Sequence, residues 1–190
     1  WRRQIETYKR LHQLLGSNVV MGMTLSQFNV DQYHRAYQAA KSECPWLRPN
    51  DFHINIAHES AHYYGNDGDT DNSRTRELTL GTVREYRNMR SNHLGVVNYL
   101  EKRYLKNAET YLETGITPIR CSALKASCFV DSWGNVYPCG MYDAKIANLR
   151  EHDFDLEKIW NLQRTRKLQD EIWNYDCPQC WTPCEAYQSL

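Results

Sequence analysis

The 190-residue chain carries no excess charge of either sign, since 23 Lys and Arg stand against 23 Asp and Glu. That balance excludes the broad basic surface by which a whole protein adheres to nucleic acid or an anionic membrane. Long hydrophobic runs are missing as well. The apolar runs are short, as in Val19 to Met23, and none approaches the ~20 residues of a membrane-spanning helix. No secretory signal pattern opens the chain, and no internal repeat or low-complexity stretch interrupts it. With 41% hydrophobic and 24% charged residues, the composition is globular and not disordered. The expectation is a soluble, cytoplasmic protein of one or two domains, with no membrane or nucleic-acid partner.

What is present begins with helical periodicity. Ile5, Tyr8, Leu11 and Leu15 recur at helical spacing and predict an amphipathic helix that stops at Gly16. Val19 to Leu25 reads as a buried parallel strand, and Asn29 or Asp31 as the cap of a helix burying Tyr33, Ala36, Tyr37 and Ala40. Pro45 and Pro49 break that helix, after which Phe52 to Ala57 alternates like a second strand. Helix, strand, helix and strand joined by short connectors favour a parallel α/β arrangement. A polar loop over 65–73 precedes two helices, roughly 74–91 and 93–113, the second with Val96, Val97, Leu100, Tyr104, Ala108 and Tyr111 on one face. Beyond Pro118 the texture changes to a cysteine-rich region. There Phe129-Val130, a turn at 132–135 and Val136-Tyr137 predict a β-hairpin, and a helix spans about Asp155 to Trp173 with Leu156, Ile159, Trp160, Leu168 and Ile172 inside. The fold class is therefore α/β in the N-terminal part and α+β overall, with a boundary near 114–120. The thirteen Tyr and six Trp fall largely beside aliphatic residues on helical faces, which assigns them to core packing.

Six of the seven cysteines lie between Cys121 and Cys184. An odd number, clustered and without a signal peptide, reads as metal-binding thiols before disulfides. Cys177 and Cys180 form a Cys-x-x-Cys pair, whose two-residue gap lets both sulfurs reach one metal. The hairpin delivers Cys139 from its far strand, and Cys121 on the entering loop completes the set. Four thiolates suit tetrahedral zinc or an iron–sulfur cluster, and spacing does not separate the two. Cys128, in strand register beside Phe129, reads as a buried inert thiol, and Cys44 beside Pro45 as no ligand.

The order of these residues resembles the SPASM/twitch domain of radical S-adenosylmethionine enzymes: Cys121, Cys128, the hairpin with Gly134 and Cys139, an Ile146-Ala147-Asn148 segment, a DLEKIW helix, then Cys177, Cys180 and Cys184. Ile146-Ala147-Asn148 departs by one residue from the Ile-Gly-Asn type. The resemblance covers about 118–188. It implies one auxiliary 4Fe–4S cluster held by Cys121, Cys139, Cys177 and Cys180, with Cys184 and Cys128 in reserve, because the two-cluster form needs more cysteines than this chain has. VVMGMTLSQFN and DFHINIAHES resemble later strands of the partial (β/α) barrel that binds S-adenosylmethionine. Thr24, Ser26, Asn29 and Asn55, with His58 and Glu59, leave those strands at their C-terminal ends, as contacts to S-adenosylmethionine or substrate or as loop-closing polar groups. The family's Cys-x3-Cys-x2-Cys triad appears nowhere, and the chain starts at Trp1. The expectation is thus a C-terminal fragment: 1–117 the end of a barrel, 118–190 the auxiliary domain. The missing N-terminal barrel half would be its partner. The intact parent would carry S-adenosylmethionine and a second 4Fe–4S cluster, and its peptide or small-molecule substrate is unknown, as are its catalytic residues.

Two alternatives remain open. One is a structural four-cysteine zinc module that organises an interaction surface. The other is a zinc metalloprotease, because His58-Glu59-Ser60-Ala61-His62 matches His-Glu-x-x-His. Position 68 is Gly where a third ligand belongs, and the motif directly follows a strand. Asp67-x-Asp69-x-Asp71 invites a calcium-loop reading but lacks the glycine and glutamate that such loops require.

Overall fold

A computed structural model describes residues 1–66, 73–90 and 95–190. The chain divides into two units, one from 1–57 with 70–113 and the other from 58–69 with 114–190. The calcium-loop pattern at 67–71 lies outside the described residues. No described helix is long and apolar enough to cross a membrane.

In the first unit, α1 (Arg2–Leu15) buries Ile5 and Tyr8 and ends at Gly16, whose φ of 60° is the left-handed value that glycine adopts without strain. Leu11 and Leu15 stay exposed. Strand β1 (Met21–Leu25) pairs in parallel with β2 (Phe52–Ile56), from Met21 opposite Phe52 to Leu25 opposite Ile56. Helix α2 (Tyr33–Glu43) makes the crossover. The parallel pairing is as expected, but β1 is covered on one face only. Gly22 and Thr24 face outward because this sheet has two strands.

The cap of α2 also differs. Gln32 occupies that position without a side-chain bond. Asn29 instead closes the turn after β1, accepting from Ser26 N at 2.8 Å and donating to the Thr24 carbonyl at 3.0 Å. Rings form much of this core: Tyr33 meets Phe52 and Tyr86 edge-on at 5.8 and 5.5 Å, and Tyr37 meets Phe52 at 5.7 Å.

Helices α3 (Ser73–Met89) and α4 (Val96–Thr114) complete this part of the chain. The buried stripe of α4 runs through Glu101, Tyr104, Leu105, Ala108 and Leu112, while Val96 and Val97, assigned to its inner face by periodicity, are exposed. Glu101 occupies an inward position because Arg90 stands 3.8 Å away and His53 Nδ1 3.3 Å away. A buried charge needs such partners.

In the second unit, β3 (Phe129–Val130) and β4 (Asn135–Tyr137) form the expected hairpin. A third strand, β5 (Ala147–Asn148), adds antiparallel to β4. Asp131 fastens the turn by accepting from Trp133 N, Asn135 N and the Asn135 amide. Asn148 bridges back to Asn135 and to the Trp133 carbonyl. Gly134 adopts φ 86°, the left-handed region that glycine takes without strain, and a Cβ there would also push aside the end of the Arg150 side chain 2.7 Å away.

The single helix expected over 155–173 is two, α5 (Leu156–Trp160) and α6 (Gln163–Trp173). Asn161 turns its amide back to the Glu157 carbonyl, and Leu162 is extended. Fully buried Thr165 donates to the Ile159 carbonyl at 2.6 Å, replacing a helical bond that the break removes. Ile159, Leu168 and Ile172 are inside as expected, whereas Leu156 is exposed. The short helix α7 (Pro183–Ala186) follows the last cysteines. Thr165→Val keeps the shape, removes this bond and leaves the Ile159 carbonyl with the Leu162 N–H alone. The expected cost is about 0.5–1.5 kcal/mol, read as a lowered midpoint in urea unfolding.

Candidate metal centre

All seven cysteines are free thiols. Cys139 belongs to a buried cluster that includes Leu124, Val136, Ile146, Ile159 and Ile172, and Cys121, Cys128, Cys177 and Cys180 pack against it. The four residues proposed from their spacing are thus brought to one core. Cys44 is fully buried elsewhere, in the first unit, and Cys184 is exposed.

Local structure holds each of the four. Thr117 pins the Cys-x-x-Cys loop: its hydroxyl donates to the Cys180 carbonyl at 3.0 Å and accepts from Cys180 N at 3.2 Å, and its N–H donates to Gln179 Oε1. Gln179 itself has φ 58°, and its amide nitrogen donates to the Tyr175 carbonyl at 2.6 Å. The loop entering at Cys121 is fixed by Arg120, which donates to the Trp173 carbonyl and stacks over the Trp173 ring, and by Ser122 N donating to Ser189 Oγ.

The electrostatics separate these four thiols from the rest. Burial pushes every one of them up: Cys180 goes from its ordinary value near 9.0 to about 12, and Cys139, Cys121 and Cys177 also rise. Neighbouring thiols add to this, Cys180 acting on Cys139, Cys121 on Cys180 and Cys177 on Cys121. Against burial, a peptide N–H two residues downstream turns to each sulfur: Ala123 to Cys121, Met141 to Cys139, Gln179 to Cys177 and Thr182 to Cys180. The Ala123 nitrogen lies 3.4 Å from its sulfur. Such donors favour the thiolate, the form that binds metal. Cys128 is raised by burial and by Glu185, with no N–H opposing.

No three His, Cys, Asp or Glu side chains among the described residues stand in the arrangement of a formed metal site. The fold supplies the donors: four free sulfurs around one core. That set fits a soft, thiolate-ligated metal centre.

The His-Glu-x-x-His segment serves this region differently from the protease reading. It is not helical. Ser60 bridges to Asn66 and 61–64 is a turn, so two imidazoles are not aligned on one helical face. Both His62 nitrogens are engaged, Nδ1 lying 3.2 Å from Ser60 Oγ and Nε2 3.3 Å from the Cys139 carbonyl. Ser60 Oγ donates to the Gly140 carbonyl at 2.6 Å, and the Tyr63 ring lies against Gly140. The segment braces the loop that carries Cys139, and the zinc-protease reading is overturned.

Two residues escaped the sequence reading. Thr117 preceded the cysteines without a recognisable motif. Glu185, nine-tenths buried, acts electrostatically on Cys121, Cys128, Cys139 and Cys180 although nothing in its position suggested it. Of the barrel-end candidates, Thr24 and Asn55 stand opposite each other in the strand pairing, while Ser26 and Asn29 are taken up in the turn after β1.

The second unit gathers Cys121, Cys139, Cys177 and Cys180 on one core, a donor set of the kind that soft metals take. Residues 121–181 match the family model of SPASM, an iron–sulfur cluster-binding domain. No curated protein and no solved structure matches the chain.

The raised thiol values give a signed pH dependence. In metal-free, reduced protein the folded state keeps protons that the unfolded chain releases above about 9. Stability from this source is complete below that pH and falls as pH rises towards about 12. Urea midpoints across this range should fall in the metal-free form. Zinc added at pH 7 in weak buffer should release about one proton per coordinating thiol, and the metal-loaded form should resist the alkaline loss.

Proposed function

We propose that residues 118–190 hold one auxiliary 4Fe–4S cluster through Cys121, Cys139, Cys177 and Cys180, as part of a radical S-adenosylmethionine enzyme. The observation that carries this reading is the gathering of these four free sulfurs, from three separate stretches of chain, on one buried core. The SPASM match over 121–181 supplies the cluster class. When bound, such a cluster supplies one-electron transfer or an iron site for a substrate donor atom. The chain's own residues position it: Thr117 and Gln179 hold the Cys-x-x-Cys loop, His62 and Ser60 brace the Cys139 loop, and the buried cluster around Ile159 and Ile172 excludes water. Cys128 and Cys184 are reserve ligands. Reduced thiols throughout fit a reducing compartment such as the cytoplasm.

In the same reading, residues 1–117 are the last strands of a partial barrel. Parallel strands joined by α2 support this, as does the outer edge of β1, which no strand pairs among the described residues. A groove of about 980 Å³, lined by Ile5, Tyr8, Leu11, Val20 and Ala36, runs beside that edge and would receive the remaining barrel half. Thr24 and Asn55 are the proposed contacts to S-adenosylmethionine or substrate, with Ser26 and Asn29 shaping the turn beside them. The chain contains no Cys-x3-Cys-x2-Cys triad, so on its own it should bind a cluster without cleaving S-adenosylmethionine.

Anaerobic reconstitution of the 190-residue chain tests this. About four iron and four sulfide per chain are expected. Serine replacement of Cys121, Cys139, Cys177 or Cys180 should lower that content severalfold, while C44S keeps it. Zinc without iron in anaerobically isolated protein would support the structural zinc module. S-adenosylmethionine cleavage by the reconstituted chain would overturn the division of labour.

A further inference from the structure

Beside the thiols, within the second unit, lies a cavity of about 330 Å³. Its walls include Tyr63, Tyr64, Phe129, Ser127, Glu185 and Gln188. Tyr63 packs on Tyr64 at 4.6 Å and on Phe129 at 4.9 Å, edge-on to the latter, so three rings form one continuous wall. Opposite in character is Glu185, only 9% exposed. Its Oε2 receives Gln188 Nε2 at 2.8 Å and Ser127 Oγ at 3.5 Å, both neutral donors. Among the described residues no Lys, Arg or His stands within ion-pair distance of it, and Oε1 receives no hydrogen bond. A buried carboxylate without a counter-charge is costly, and elsewhere in this chain the buried Glu101 does have Arg90 beside it.

We propose that this cavity is a binding site for a primary ammonium group on an alkyl stem, its charge taken by Glu185 and its stem enclosed by Tyr63, Tyr64 and Phe129. Aromatic faces attract cations, and a carboxylate is purely an acceptor. Calcium or magnesium would require six or more oxygen ligands, which one carboxylate among rings does not provide. A guanidinium would call for two open carboxylate oxygens, and only Oε1 is open. The volume suits a lysine side chain or a small amine. As a handle for the substrate of a radical enzyme the pocket rests on the function proposed above; as an ammonium site it stands on its own geometry.

The test uses the full 190-residue chain, reduced and metal-free, so its outcome is independent of iron loading. N-acetyl-lysine methylamide and n-butylamine are titrated by amide-detected NMR, with N-acetyl-norleucine methylamide as the uncharged counterpart. Saturable shifts at Gly140 and Gln188 are expected for both amines, and at least about tenfold weaker binding for the norleucine compound. Tighter binding of the lysine compound than of butylamine assigns the site to a peptide side chain; equal binding assigns it to a small amine. Glu185→Gln should weaken binding by about tenfold or more. Tyr64→Leu, on the exposed side of the wall, should weaken it roughly threefold, and it serves as the second variant if E185Q fails to fold. No saturable shift with either amine, equal binding of norleucine, or undiminished binding by folded E185Q would overturn the proposal. Iron and sulfide analysis of the reconstituted chain decides the cluster reading separately.

Discussion

The second unit is organised around burying four sulfurs from three separate stretches of chain in one apolar core. Burying thiols in an apolar core favours the protonated form, because desolvation penalises the thiolate. A hydrogen bond from the backbone favours the opposite form. The two effects act on the same atoms at Cys121, Cys139, Cys177 and Cys180, and burial prevails in the metal-free state. A cation that displaces the protons removes the reason for protonation while the N–H donors stay in place. In the proposed reading the four sulfurs would suit a soft metal centre and are disfavoured as four bare anions, which is what a ligand-binding core needs in order to fold before it is filled.

Backbone donors require rigid loops, and much of the surrounding polar structure supplies that rigidity. Thr117 locks Cys180 through both its hydrogen-bonding directions, and Gln179 folds its amide back over the Cys177 turn. The hairpin that delivers Cys139 is held at its far end by Asp131 and Asn148 and near the cysteine by Ser60 and His62. None of these side chains needs to touch a metal. Their removal would act by loosening the loop, in the way that outer-shell groups generally tune a metal site.

Features that depend on local chemistry were legible in the sequence. The stop at Gly16 and the hairpin turn are each set by a few adjacent residues, and both appear in the structure. Features that depend on distant contacts were not. The break at Asn161 and Leu162 occurs between residues that a helix tolerates, and becomes favourable only through Thr165 and the buried Ile159 carbonyl. His-Glu-x-x-His looked like a zinc motif because five residues cannot report that its second histidine meets a carbonyl 77 positions later. Asn29 was mistaken for a helix cap because capping and turn-closing use the same short amide side chain.

Buried charge distinguishes structure from function within this one chain. Glu101 sits in a core with Arg90 and His53 as its ionic neighbours, an arrangement that stabilises a particular packing and leaves nothing for a ligand to supply. Glu185 is almost as deeply placed, yet it has only Ser127 and Gln188, and its open oxygen borders a cavity walled by aromatic rings. Its negative charge also opposes ionisation of Cys121, Cys128, Cys139 and Cys180. A carboxylate without a counter-ion costs the empty domain stability, whereas its effect on the sulfurs costs nothing while they are protonated and opposes only the thiolates that a metal centre would need. An amide side chain of similar size would relieve the first cost, so packing alone does not account for an acid at this position. In the proposed site, a cation arriving from outside the chain would offset that cost and ease thiolate formation, which would couple occupancy of the cavity to the electrostatic state of the neighbouring sulfurs.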